Sequence, residues 1–187
     1  LPASVTNILV SSDPTFPNTV ATRTISLSAG AIREATVDFA NGEYFTFSKS
    51  NNPPVLSNME STVINYCDGN ESLTSNVTVT DTDGDTQTAV ITFDSGFQSG
   101  EDTLVYTPGT GVTVISQTAE RVEIQANVAN MQTALRAISY TNSQSGSSRT
   151  TANRVISIIL NDGTDDSNKV TRTIKPSRVP QPVGIFY

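Results

Sequence analysis

Short runs of alternating apolar and polar residues recur along most of this chain, each closed by a cluster of Gly, Asp, Asn, Pro or Ser. That pattern restricts the fold to an all-β protein. From Val55 onward the runs are evenly spaced, at 62–66, 76–80, 88–93, 103–107, 112–116, 121–125, 137–141, 155–160 and 169–174. Asp94-Ser95-Gly96, Pro108-Gly109-Thr110-Gly111 and residues 143–148 supply turns between them. Many short, evenly spaced strands predict a β-sandwich. The chain is crowded with Ser, Thr and Asn and poor in Leu, Lys and Glu, which suits strands and turns better than helices.

One segment breaks the two-residue period. Asn127 has the chemistry of a helix cap, and Val128, Met131, Leu135 and Ile138 follow at three- and four-residue steps. A helix of about two to three turns is expected there, with Gln132, Thr133 and Arg136 facing water and the apolar stripe in the core.

Residues 1–50 give alternating runs at 5–10, 19–27 and 35–39, the last expected to pair across Asn41-Gly42 with 44–47 as a hairpin. These strands are too few to close a sandwich. They read as the closing strands of a preceding, incomplete β domain. The stretch Ser48 to Pro54, with prolines at 53 and 54, is a semi-rigid joint. The expected organisation is therefore a first β segment at 1–50, a sandwich at 51–176, and a tail at 177–187 that is a linker or a strand donated to a neighbour. The tail begins proline-rich and ends in Val183-Gly184-Ile185-Phe186-Tyr187.

Charge and residue types narrow the chemistry. Eleven basic against eighteen acidic residues give a net charge of −7, which opposes binding to nucleic acid or an anionic membrane surface. There is no histidine, so no Ser-His-Asp or Cys-His centre can be built, and no carboxylate pair is spaced for hydrolysis. The expected protein is not an enzyme. Cys67, the only cysteine, precludes an intrachain disulfide and is expected as a buried, inert thiol. No apolar run is long enough to span a membrane, and Leu1-Pro2-Ala3-Ser4 does not read as a signal peptide, so the chain reads as a mature or internal piece of something longer.

The acidic clusters invite a metal reading. In the run from Asn76, Val77 and Val79 share a buried face, and Asp81 and Asp83 continue its parity with Asp85 close behind, so the strand must leave the core there. The helix-loop-helix calcium motif does not fit, because Thr86 and Thr92 stand where it needs glycine and glutamate. Calcium-binding β-helix repeats do not fit either, since no Gly-Gly occurs. Convergence of several loops near the joint remains, drawing on Glu60, Asp81, Asp83, Glu101-Asp102, Asp162 and Asp165-Asp166, with the Asp162 loop at either the same or the opposite strand terminus. The alternative is that these residues are ordinary turn formers.

Asn52-Pro53-Pro54-Val55-Leu56, Val79-Thr80-Asp81-Thr82-Asp83, Gly96-Phe97-Gln98-Ser99-Gly100-Glu101-Asp102-Thr103-Leu104, the stretch from Met131 to Asn142 and Asn161-Asp162-Gly163 occur in that order. Together they resemble the cadherin-like repeats of large secreted surface proteins of Bacteroidetes-type bacteria, over residues 51–176. The resemblance implies a Greek-key sandwich of cadherin or immunoglobulin type, an extracellular or cell-surface location, tandem arrangement, and use as an adhesive or filament module. It also implies calcium at the joints, with Glu60, Asp81, Asp83 and Asp162 as the ligands to examine. The Asp-x-Asn-Asp-Asn joint of animal cadherins is missing, since only Asn51-Asn52 precedes the prolines. Expected partners are neighbouring domains, further copies in an oligomer or fibre, and a cell-surface protein or glycan. A carbohydrate-binding module is the alternative, with Tyr44, Phe45, Phe47, Tyr106 or Tyr140 as the stacking platform.

Overall fold

The computed structural model describes residues 6–15, 23–27, 35, 38–48 and 51–178. The chain divides into two compact units, Leu1–Asn51 and Asn52–Tyr187, parting inside the proline-containing stretch.

In the first unit, β1 (Asn7–Ser11), β2 (Arg23–Ser26) and β3 (Tyr44–Ser48) form an antiparallel sheet in the order β2-β1-β3. Ile8 and Val10, on the middle strand, are its buried residues together with Ser11. Asn41-Gly42 does make a turn, with Gly42 at φ 87° and Glu43 N–H bonded to Ala40 O at 3.2 Å. Among the described residues of the expected hairpin, 35, 38 and 39 are not in a strand, and β3 pairs instead with β1 over five residues. Residues 36–37, like 5, 19–22 and 179–187 of the other expected segments, lie outside the described residues.

The second unit contains β4 (Val55–Ser57), β5 (Ile64–Tyr66), β6 (Glu71–Ser72), β7 (Thr78–Thr80), β8 (Gln87–Ser95), β9 (Asp102–Val105), β10 (Val112–Gln117), β11 (Arg121–Ala126), α1 (Val128–Arg136), β12 (Ser139–Asn142), β13 (Arg154–Asn161) and β14 (Val170–Pro176). It is an all-β, sandwich-like fold with one α-helix among the described residues. A six-stranded sheet runs β10-β11-β8-β13-β14-β5, and β6-β12-β9 and β4-β7 form the smaller sheets.

The core follows from the alternation. On β8 the inward set is Gln87, Ala89, Ile91 and Phe93. Register places Val122 and Ile158 on either side of Ile91, and Ile124 and Leu160 on either side of Ala89. All six are buried, and each large aliphatic side chain contributes about 1.5–3 kcal/mol by leaving water. From the smaller sheets and the helix come Leu104, Tyr140, Met131 and Leu135.

Helix α1 starts where expected, with Asn127 Oδ1 accepting from Asn130 N–H at 2.8 Å. Two residues expected to face water do not. Gln132 Oε1 accepts Val79 N–H at 3.2 Å, and Arg136 Nε donates to Val77 O at 2.9 Å. The helix thereby supplies partners for β7 backbone groups that lack a second strand. Cys67 is half-buried rather than buried, just past the end of β5.

Candidate functional site

Strand register decides which acidic residues share an end of the fold. Asn161 at the end of β13 lies opposite Thr88 near the start of β8, and Val55 on β4 opposite Thr80 at the end of β7. The turn from Asp81 to Asp85, the Asp162 turn and the joint at Asn52 therefore occupy one end. Glu60 follows Ser57, which pairs with Thr78, so it sits toward the other end of the β4-β7 pair. Glu101 and Asp102 precede β9, whose partner β12 meets them at Asn142. The Asp162 loop is thus at the same end as Asp81, and Glu60 is apart from both.

Each of the four candidate ligands is engaged by its own surroundings. Asp81 Oδ1 accepts Asp83 N–H at 2.8 Å and Gly84 N–H at 3.3 Å, while its Oδ2 accepts from Gln87 Nε2. Asp83 Oδ2 accepts Asn52 N–H at 2.6 Å and Asn52 Nδ2 at 3.1 Å, tying the proline joint to the turn. Asp162 Oδ1 accepts Thr164 and Asp165 N–H, both at 2.8 Å, closing the turn between β13 and β14. Glu60 accepts from Thr74 Oγ1 at 2.6 Å, from Ser75 N–H at 2.9 Å and Oγ at 3.1 Å, and from Asn76 N–H at 3.2 Å. Desolvation raises the Glu60 pKa, but the Thr74 hydroxyl, the Ser75 donors and Glu60's own N–H outweigh it and hold the carboxyl at about 2.

These contacts bear on calcium, which takes six to eight oxygens. Gln87 Oε1 is buried without a partner, and its amide Nε2 lies against Asp81 and Asp85 O, so the Asp81 turn comes nearest to offering oxygens to an ion. Glu60 and Asp162 do not join it, and among the described residues no group of three or more His, Cys, Asp or Glu is placed to hold a metal. As arranged, the four candidates do not form one calcium cage. Their carboxylates serve as acceptors that close turns.

A denser polar constellation lies at the other end. Arg154 is 0% exposed and Asp102 is 1% exposed, yet both are charged residue types. The guanidinium grips the carboxylate twice, Nε to Oδ2 at 2.9 Å and Nη2 to Oδ1 at 3.2 Å. Tyr140 OH at 2.7 Å and Asn142 Nδ2 at 2.8 Å also donate to Oδ1, and Gln98 N–H at 2.8 Å donates to Oδ2. Burial and the Asp102 bond both raise the Tyr140 pKa. Beside them Glu101 accepts from Thr150 Oγ1 at 2.6 Å and is held below the usual carboxylate range, first by that hydroxyl and, against desolvation, by Thr150 N–H, Asn142 and Arg154. The network joins β9, β12 and β13. Gly96 makes room for it, because a Cβ there would stand 2.1 Å from Asn153 O, just before Arg154.

The first and last segments of the second unit run side by side in the same direction. Asn168 brackets Leu56, accepting its N–H and donating to its carbonyl, both at 2.9 Å. Arg172 Nη1 donates to Glu60 O at 2.6 Å and Thr62 Oγ1 at 3.3 Å. β14 then pairs in parallel with β5, Ile174 with Ile64 through Pro176 with Tyr66, and Ser177 N–H bonds Tyr66 O at 2.8 Å. Arg149 closes the far end. It stacks 5.0 Å from the Tyr66 ring and donates to Ser177 O at 2.7 Å and to Cys67 O.

No protein-family model matches the chain, and no curated protein matches it.

A cleft of about 110 Å³ lies between Tyr106, Val112, Asn130, Thr133 and Ala134, and its lining carries no carboxylate, thiol or amine. Tyr106 and Tyr140 are core residues and cannot present a platform to a sugar. Sequence reasoning missed Arg154, Asn168 and Arg172. The signal for Arg154 was an arginine opening the apolar run 155–160, one residue out of character with its strand.

Proposed function

We propose that the chain is a structural, load-carrying module of an extracellular bacterial surface protein or filament, and that it acts as a scaffold rather than a catalyst. The observation that carries this reading is the parallel path from Leu56–Tyr66 to Asn168–Ser177. When the two ends of the second unit are pulled apart, the parallel strands β5 and β14 slide past each other. Their hydrogen bonds are then loaded together instead of opening one by one. The Arg154–Asp102 network braces the neighbouring strands, so that shear is met by a fixed core. The resemblance of residues 51–176 to cadherin-like repeats of bacterial surface proteins supports the same reading, including an adhesive role, a place outside the cell, and neighbouring domains or copies as partners. Calcium, in this reading, is confined to the Asp81 turn and is not what holds the module together.

Stretching the full chain by its ends in a single-molecule instrument tests the proposal. One high-force rupture from the second unit is expected, after an earlier, weaker event from the first. Release of both units at the same low force would contradict it.

A further inference from the structure

Arg149 is an unusual cation to bury. Its side chain is 3% exposed, and the carboxylate it meets, Asp68 at 2.8 Å, is 67% exposed and shared with water. Backbone carbonyls receive the rest of the guanidinium. Nε donates to Gln144 O at 2.8 Å, and Nη1 donates to Ser177 O at 2.7 Å and to Cys67 O. The Tyr66 ring covers one face of the group at 5.0 Å. Taking a guanidinium out of water is costly, and its advantage over other cations is a rigid planar fork that fixes several acceptors at once. Here the acceptors belong to the end of β5, the end of β14 and the loop between β12 and β13.

These three stretches meet where the chain leaves the second unit. β5 is only three residues long and joins the six-stranded sheet through its parallel pairing with β14. Ser177 N–H extends that pairing to Tyr66 O at 2.8 Å, and Arg178 Nε then donates to Arg149 O at 2.9 Å. Arg149 therefore grips residue 177 with its side chain and residue 178 with its main chain. The loop that carries it is pinned in turn. Ser143 N–H bonds Glu101 O at 2.8 Å, and Thr150 donates to the Glu101 carboxylate from N–H at 3.1 Å and from Oγ1 at 2.6 Å. Glu101 adjoins Asp102, which Arg154 holds in the core. The entry of the unit is built differently, since Asn52 is bonded to Asp83 at an exposed site where water competes.

We infer that Arg149 is a clasp at the chain exit. It locks residues 177–178 to the end of β5 and to the 143–150 loop, so that a pull arriving from beyond Arg178 passes through Glu101 to the core and does not peel β14 from β5 pair by pair. Release of the clasp is a local opening, separate from unfolding of the module. The direction of the pull rests on the load-carrying reading above, whereas the clasp itself is tested with no force applied.

Residue-resolved hydrogen exchange of the full chain, repeated at low urea concentrations, is the test. Ser177 N–H reports the clasp, and Leu104 N–H, bonded to Ala119 O at 2.8 Å, reports the core. Ser177 is expected to exchange through a small opening with little urea dependence, and Leu104 with the steeper dependence of global unfolding. Arg149→Lys keeps the charge and the apolar stem but loses the fork. It should speed Ser177 exchange on the order of tenfold while the urea dependence there stays small, as loss of charge-assisted bonds at a local site would give. Arg149→Met should do at least as much, and the lysine variant carries the test if the methionine variant does not fold. Ser177 and Leu104 sharing one urea dependence in the parent would overturn the inference, as would parental Ser177 exchange in Arg149→Lys. End-to-end stretching supplies the second readout, in which Arg149→Lys should rupture the second unit at a lower force than the parent. An unchanged force would overturn the clasp's part in carrying load, while a parent whose second unit gives way at low force would instead count against the load-carrying reading.

Discussion

The middle strands of the two units make an instructive pair. β8 has β11 on one side and β13 on the other, and Ala89 and Ile91 each meet a buried partner on both flanks. β1 also has two neighbours, and Ile8 and Val10 are as regular in their alternation as Ala89 and Ile91. Its flanking residues, however, include the exposed Arg23, Phe45 and Phe47. Alternation makes a strand, but burial needs neighbours that are themselves covered, and a sheet of three has only one interior strand. The second unit adds a further layer of security, a charged network sunk in its core, whereas the Arg23–Glu43 pair described in the first unit lies at the surface.

The largest expected effect separates those two kinds of charge. Arg154→Ala leaves Asp102 buried without its cation and should destabilise the second unit by about 3–5 kcal/mol in urea unfolding. Arg23→Ala, which removes a pair whose side chains are well exposed, should cost at most about 1 kcal/mol. Similar costs at the two sites would erase the distinction.

A mid-sized effect concerns turns. Glu60→Gln weakens the acceptor for Thr74, Ser75 and Asn76 and should lower the second unit's stability by about 1–2 kcal/mol at neutral pH. The folded-state pKa of Glu60 is depressed to about 2 from 4.5. Its contribution is therefore complete above about pH 4.5 and fades as the pH falls toward 2. Stability curves of the parent and the variant should converge across that window, and parallel curves would show that the carboxylate is not the stabilising form. The smallest effect expected is from a calcium chelator. Because Asp81, Asp83 and Asp162 already close their turns with internal bonds, the melting temperature of the second unit should stay within about 1 °C, whereas a fall of several degrees would put an ion in the Asp81 turn.

What could be read from residues alone was set by local periodicity. The inward face of β8, the cap at Asn127 and the exit of the chain from the core at Asp81 all depend on near neighbours, and they were legible. The partner of β3 was not. Asn41-Gly42 signals a turn, but the strand after it found β1, about 35 residues back in the chain, where Ile8 and Val10 offered an apolar row. The acidic residues show the same limit. Whether a carboxylate holds a cation or a turn depends on which donors arrive from elsewhere, and no spacing reports that Glu60 meets Thr74 or that Asp102 meets Arg154. The parallel path of Leu56–Tyr66 and Asn168–Ser177 is likewise a property of the closed fold, since its contacts join residues 110 to 112 positions apart.

That path carries the account, and weakening it under force is its most direct test. A chain with Asn168→Ala and Arg172→Met loses the bonds to Leu56, Glu60 and Thr62 while keeping the apolar core. End-to-end stretching should then rupture the second unit at a clearly lower force than the parent, a proportionally larger loss than the accompanying fall in melting temperature. Rupture at the parental force despite a lowered melting temperature would contradict the claim that load travels along the paired segments Leu56–Tyr66 and Asn168–Ser177.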